Sequence, residues 1–478
     1  MSSKRLIYIC LGVVFTAFSM TGCKTPSLME KTVDRSVPDQ FGEQDDTTNV
    51  GEQNWKAYFN DDHLVNLIDT ALSRNQELNI MLQEIAIAQY EIGARKGEYL
   101  PSVDLKAGSG VEKKARYTPE GASEATTDIE PGREMPEPVP DFQFGAIASW
   151  EVDIWHELRN AKESAVKEYL ATQEGKNFVM TQIIAEIANS YYELLALDNQ
   201  LQILNQNIEI QSNALKIVKL QKQASRVTEL AVRKFEAEVL YTKSLKFKIQ
   251  QSIVETENKI NYLLGRYPQP IERSSQNIID IVPDNVESGI PSQLLNNRPD
   301  IKEAELKLAA AKLDIKVAKA NFYPSLDISA GIGLQAFNPS YLVQAPESML
   351  FNVAGDLMAP LINRKAIKAY YYTANAKQIQ AVYEYERTVL NAYIEVVNQL
   401  SNINNLKQSY ELKAEQVQAL NESIRIANDL FRSARADYME VLLTQRDALE
   451  SKFELVETKK EQMNAKVNIY QALGGGWN

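Results

Sequence analysis

The sequence predicts a mainly α-helical chain that carries a small set of membrane-type β-strands and is built from two copies of one half. Three observations predict it: two distant runs that align without a gap, apolar residues recurring every seventh position over long stretches, and four short segments in which apolar and polar residues alternate. The 478 residues contain 51 Lys and Arg against 63 Asp and Glu, a formal net charge of −12, with two His and two Cys. An acidic chain of this kind lacks the basic face that nucleic-acid phosphates require. Two cysteines cannot build a disulfide scaffold, a four-thiolate zinc site or an iron–sulfur cluster. With 44% hydrophobic residues the chain has ample material for a core.

The N-terminus reads as an export signal. Lys4-Arg5 is followed by the apolar run Leu6 to Phe18 and by Met20-Thr21-Gly22-Cys23. The run is too short to span a bilayer, so it fits a secretory signal over residues 1–22. Its ending resembles the lipobox of bacterial lipoproteins, which implies cleavage before Cys23 and acylation of that residue. Several acyl chains, at about 0.8 kcal/mol per buried methylene, hold a protein firmly on a membrane. An acylated N-terminal segment is expected over 23–60.

The two halves are expected over 61–270 and 296–478, joined by a linker over 271–295. Asn75-Gln76-Glu77-Leu78 through Leu100-Pro101 aligns with Arg298-Pro299-Asp300-Ile301 through Tyr323-Pro324, and Gly108 and Gly110 meet Gly331 and Gly333. Asn189, Tyr191 and Glu193 match Asn391, Tyr393 and Glu395 further on. A unit of about 200 residues is far longer than a solenoid repeat. Each half gives the same order: a short helix, a pair of strands, then two very long helices.

The strands are expected at about 102–111, 142–155, 325–336 and 351–361. Val103, Leu105, Ala107, Ser109 and Val111 form one period-two face; Phe142, Phe144, Ala146, Ala148 and Trp150 form another. Their length is that of a tilted membrane strand. Long connections rich in Pro, Glu and Gly at one end (Lys113 to Asp141, Phe337 to Leu350), with direct passage into helices at the other, favour an outer-membrane orientation. Four strands cannot enclose a barrel, because unpaired edges in lipid cost several kcal/mol per group. Closure therefore requires several copies: two give eight strands and three give twelve.

The long helices are expected at about 160–222, 227–264, 364–433 and 437–473. Val382, Val389, Val396, Ile403, Tyr410, Val417, Ile424 and Phe431 fall at every seventh position, a coiled-coil-like period. A helix over 160–222 would be roughly 90 Å long. Taken alone, this periodicity also fits a periplasmic coiled-coil lipoprotein without a pore.

Asn297-Arg298-Pro299-Asp300-Ile301, Ala304-Glu305, Ala310-Ala311 and Phe322-Tyr323-Pro324 resemble the signature of TolC-like outer-membrane efflux proteins. The lipobox, Ser149-Trp150-Glu151-Val152-Asp153 and the ending Ala472-Leu473-Gly474-Gly475-Gly476-Trp477 are similar to the OprM-type, NodT-like lipoprotein branch. The resemblance implies a homotrimer with a twelve-stranded barrel in outer-membrane lipid, a periplasmic α-barrel, and an equatorial belt around which Lys24 to Phe59 and Ile271 to Leu295 lie. It also implies a periplasmic adaptor and an inner-membrane pump of the RND type as partners, since a duct supplies no free energy. A type I secretion duct for proteins uses the same kind of tube.

In that family the helix turns face the adaptor. Here they are Ala224, Ser225, Arg226, Val227 and Thr228, and Ala434, Arg435 and Ala436. Residues after the second turn narrow the periplasmic entrance, which makes Glu440 the first candidate for a gate acid and Asp437 the second. One acid per chain becomes a ring of three under threefold symmetry, favouring cations and opposing anions; a solvated acid on an outer helix face fits the same residues. Relatives place a Tyr and an Arg near this turn where Phe431 and Ala436 stand, with Arg432 and Arg435 close by.

No catalytic, cofactor or metal site is expected. Gly331-Ile332-Gly333-Leu334-Gln335-Ala336 matches G-x-G-x-x-A but lies inside a strand pattern with no helix directly after it. His156-Glu157 begins like a zincin pair, but Asn160 stands where the second His would be.

Overall fold

The computed structural model describes residues 25–41, 48–282, 287–360, 362, 364–433 and 435–477. The expected signal peptide, Cys23 and Ala434 lie outside them. The helices are α1 (Trp55–Tyr58), α2 (Asp62–Arg74), α3 (Gln76–Tyr99), α4 (Pro119–Glu124), α5 (Glu157–Gln223), α6 (Glu229–Leu263), α7 (Leu294–Asn297), α8 (Pro299–Ala320), α9 (Lys365–Arg432) and α10 (Tyr438–Ala472). The strands are β1 (Ser102–Glu112), β2 (Asp128–Glu130), β3 (Arg133–Glu134), β4 (Val139–Glu151), β5 (Ser325–Ala336) and β6 (Met349–Met358). At 67 and 68 residues, α5 and α9 each extend about 100 Å. Among the described residues no helix is long and apolar enough to cross a membrane.

The chain divides into two compact units. The first comprises Met1–Thr32, Ala86–Tyr169 and Leu306–Val382. It holds one antiparallel sheet in the order β1-β4-β5-β6, so β1 and β6 are its two open edges. Register fixes which residues share a face: Val103 stands opposite Ala148, Phe144 opposite Leu334, and Ile332 opposite Phe351. One face is therefore apolar across all four strands, the other carries the alternate residues. Phe351, Val353 and Leu357 are 81%, 78% and 69% exposed, far more apolar surface than a strand left to water presents. Where the sheet meets the helices, Ala318, Phe322, Tyr371 and Ala374 form a small buried cluster, and Trp155 stacks on Tyr323 at 4.6 Å.

The second unit comprises Val33–Ile85, Leu170–Glu305 and Tyr383–Asn478. Its main core joins α2 (Leu64, Ile68, Ala71), α5 (Ile184, Ile187, Tyr191, Leu194), α6 (Ile260, Leu263) and α10 (Val456, Val467, Tyr470). Tyr58 stacks on Tyr470 at 4.1 Å, and the Tyr191 hydroxyl donates to Asp61 Oδ2 at 2.8 Å while accepting from the Ser274 N–H at 3.1 Å. Burial pushes the Tyr191 hydroxyl well above the usual tyrosine range. The Arg298 guanidinium, 5% exposed, donates to Asp300, to Glu395 at 2.7 Å and to the Ala472 carbonyl at 2.9 Å. This cluster, with the Trp477 indole donating to the Asn297 carbonyl at 3.0 Å, pins the C-terminal glycines to the start of α8. A Cβ at Gly474 would sit 2.7 Å from that same Asn297 carbonyl, and φ there is +88°, so this position requires glycine.

Three boundaries differ from the sequence reading. The second main strand runs over Val139–Glu151 rather than 142–155, because the buried Asp153 carboxylate accepts from the Leu158 and Arg159 N–H groups at 3.1 and 3.0 Å and turns the chain into α5 early. The last strand occupies Met349–Met358 rather than 351–361: Leu334 and Gly333 pair with Met349 and Leu350 at one end. Pro360, which has no N–H, follows at the other. The connection Lys113 to Asp141 is not plain loop but contains α4, capped by Thr118, and the β2–β3 hairpin.

Candidate functional site: helix turns and a two-faced sheet

The turn between α5 and α6 is a Schellman closure. The Arg226 N–H donates to the Gln221 carbonyl at 2.9 Å and the Ser225 N–H to Lys222 at 2.9 Å, with Ser225 at φ 56° where glycine is usual. Thr228 then starts α6 by accepting from the Ala231 N–H at 3.3 Å. Lys222 and Glu229 pair across the turn, and Arg233 joins Glu229 at 2.9 Å. Ala224, Ser225, Arg226 and Thr228 are exposed, while Val227 is partly buried.

The turn between α9 and α10 carries the longer of these two bonds: the Arg435 N–H donates to the Leu430 carbonyl at 2.9 Å. Asp437 holds the N-cap position of α10, yet its side chain makes no capping bond. Glu440 lies exposed in the first turn of α10. Among the described residues neither acid is in an ion pair, nor are the exposed Arg432 and Arg435. The two turns share one apolar cluster, in which Val218, Ala231, Val232, Phe235 and Leu442 are buried and Val227, Phe431 and Tyr438 pack against them. Of the predicted turn residues Val227 packs against this cluster, as does Phe431.

The second functional surface is the polar face of the sheet. Asp104, Lys106, Gln143, Ser149, Glu151, Asp327, Gln335, Asn352 and Asp356 all point to it. Glu151 stands directly opposite Asp327, and Asp327 directly opposite Asp356, a row of three acids across three strands. Like charges so placed disfavour a dry interface. Sequence alternation marks this face but not the row, which depends on strand register. The G-x-G of β5 has its explanation here: Gly333 pairs with Gly145, and a Cβ on either would lie 2.7 or 2.6 Å from a carbonyl of the neighbouring strand. His156 forms the left-handed joint before α5 (φ 59°), and Glu157 accepts from the Asn321 amide at 3.2 Å. Among the described residues no group of His, Cys, Asp and Glu is arranged to hold a metal ion.

A sheet with one lipid-type face, one polar face and open edges, continuous in sequence with long coiled-coil helices, defines an outer-membrane channel-forming protein. The chain matches the model of the outer membrane efflux protein family over residues 67–266 and 290–475, and it belongs to that family. It is 26% identical over 423 residues to the pyoverdine export outer membrane protein OpmQ of Pseudomonas aeruginosa, covering 88% of this chain and 87% of that one. It is 26% identical over 481 residues to the cation efflux system protein CusC of Escherichia coli K12, covering 100% of each. A solved structure of CusC shares the fold with a TM-score of 0.83 at 24% identity, covering 94% of this chain and 99% of that chain. The protein's place is the outer membrane and its work is efflux; members of its family are channel proteins.

Proposed function

We propose that the chain acts as a homotrimeric exit duct of the OprM-type lipoprotein branch, anchored by acylated Cys23. In this reading it passes small solutes received from a periplasmic adaptor and an RND-type inner-membrane pump. The observation that carries the trimer is the four-stranded sheet with an apolar face and two open edges, which three copies close into twelve strands. A second support is the exposed stripe Leu240, Phe247 and Val254 on α6, seven residues apart, which a neighbouring helix would cover. That relatives are named for pyoverdine export and cation efflux supports small solutes as cargo.

In the same reading Ala224, Ser225, Arg226, Val227 and Thr228, with Ala434, Arg435 and Ala436, dock the adaptor. Glu440 forms the first acidic ring at the periplasmic entrance and Asp437 the second; their exposure and lack of ion pairs support a role toward solutes. The test is conductance of the purified protein in planar bilayers. Glu440→Ala should reduce cation preference, and Asp437→Ala should do so less. Unchanged selectivity in Glu440→Ala removes that residue from the entrance, and a monomer without conductance refutes the duct.

A further inference from the structure

The cations at the strand–helix junctions of the first unit are not alike. Arg95, near the end of α3, is held by Glu91 at 2.9 Å and Glu98 at 3.1 Å. Arg159, at the start of α5, is held by Asp153 at 3.2 Å and lies over the Tyr99 ring. The start of α9 has no such balance. From Met358 to Tyr383 the sequence contains Arg364, Lys365, Lys368 and Lys377 and no acid. Arg364 is taken up locally, lying over the Phe322 ring and donating to the Phe322 carbonyl at 3.2 Å. Lys365 and Lys368 are exposed, and among the described residues no carboxylate pairs with either.

Lys365, Lys368 and Tyr372 recur at i, i+3 and i+7 and so share one helix face, with the Tyr372 ring 49% exposed. This face follows β6, whose apolar residues Phe351, Val353 and Leu357 are the lipid-type surface of the sheet, and Ile362 between them is 90% exposed. A ten-residue tilted strand spans the apolar band of an outer membrane. The headgroup zone beyond it is roughly 5–7 Å deep on each side, and Lys365 to Tyr372 covers about 10 Å of helix. The pair of lysines therefore falls at headgroup depth, the zone where residue types such as the partly exposed Trp150 and Trp155 of the same unit collect.

We propose that this lysine–tyrosine face binds the phosphate headgroups of anionic phospholipid in the leaflet on the helix side of the sheet. The phosphate supplies the counter-charge that Glu and Asp supply to Arg95 and Arg159, while the lysine stems and the tyrosine ring lie along the upper acyl chains. The inference needs only the outer-membrane placement and is independent of the gate.

Native mass spectrometry of the full-length protein in detergent, titrated separately with phosphatidylglycerol, phosphatidylcholine and lipid A, tests it. Phosphatidylglycerol should be retained in preference to the other two. Lys365→Gln and Lys368→Gln should each lower that retention about fivefold, leave phosphatidylcholine unchanged, and be rescued by Arg at the same position. Lys377→Gln, more than two turns further along α9, should have no effect. Equal phosphatidylglycerol retention in wild type and the paired Gln variant overturns the proposal. So does a lysine-dependent preference for lipid A, which would put the face at the opposite leaflet.

Discussion

The two helix turns share one backbone closing bond, Arg226 N–H to Gln221 and Arg435 N–H to Leu430, and differ in how their side chains finish the reversal. The α5–α6 turn is tied: Thr228 caps, and Lys222 and Arg233 hold Glu229, while Arg226 is exposed with no ion pair among the described residues. The α9–α10 turn keeps that bond but leaves Asp437 uncapping and Glu440 exposed with no ion pair among the described residues. Duplication supplied one backbone solution, and the two copies then spent their polar side chains differently, one on local stability and one on charges turned toward solvent.

Because both turns lean on the same apolar cluster, Phe235→Ala is expected to break the contrast by loosening both. Phe235 is 1% exposed, so the loss should be about 3–5 kcal/mol, read as earlier thermal unfolding and faster hydrogen exchange at both turns. Loosening of the α5–α6 turn alone would mean the cluster is not shared. Thr228→Ala should cost about 1 kcal/mol and speed exchange at the start of α6. The matching Asp437→Ala should stay within about 0.5 kcal/mol, since no capping bond is lost. Equal effects from the two would erase the distinction.

Ser225→Gly should sharpen it, since glycine takes the left-handed joint without strain and the first turn gains about 0.5 kcal/mol of protection. The smallest effect is in pH. The Glu229 carboxyl is held below its ordinary value of 4.5, first by the hydrogen bond from Lys222 and then by the charges of Lys222 and Arg233. Its contribution is therefore complete above that ordinary value and fades as pH falls through the lower folded one. Exchange at the first turn should quicken over that acidic window, and Glu229→Gln should abolish the dependence.

Much of this was legible in the residues because it is periodic. Alternation marked the four strands and their two faces, and the breaks at Ser225 and Ser433 marked the turns. What escaped depends on reach rather than period. Asp153 moves the start of α5 because its carboxylate meets N–H groups five and six residues away. Arg298 gathers Asp300, Glu395 and the Ala472 carbonyl from three separate stretches of chain. The heptads of α9 show a different limit: Val382, Val389 and Val396 are buried within one chain, but Ile403, Tyr410, Val417 and Ile424 are only partly so. A period states that a stripe will be covered without saying which chain covers it.

The open edges of the sheet bear on biogenesis. Each exposes a row of backbone N–H and C=O groups along β1 or β6, and each unsatisfied group costs several kcal/mol in hydrocarbon. A lone chain entering the bilayer would carry that penalty in full at both edges. Insertion and assembly are thus coupled by energetics: the membrane accepts the closed ring and rejects its fragments, so stoichiometry is checked by the solvent itself.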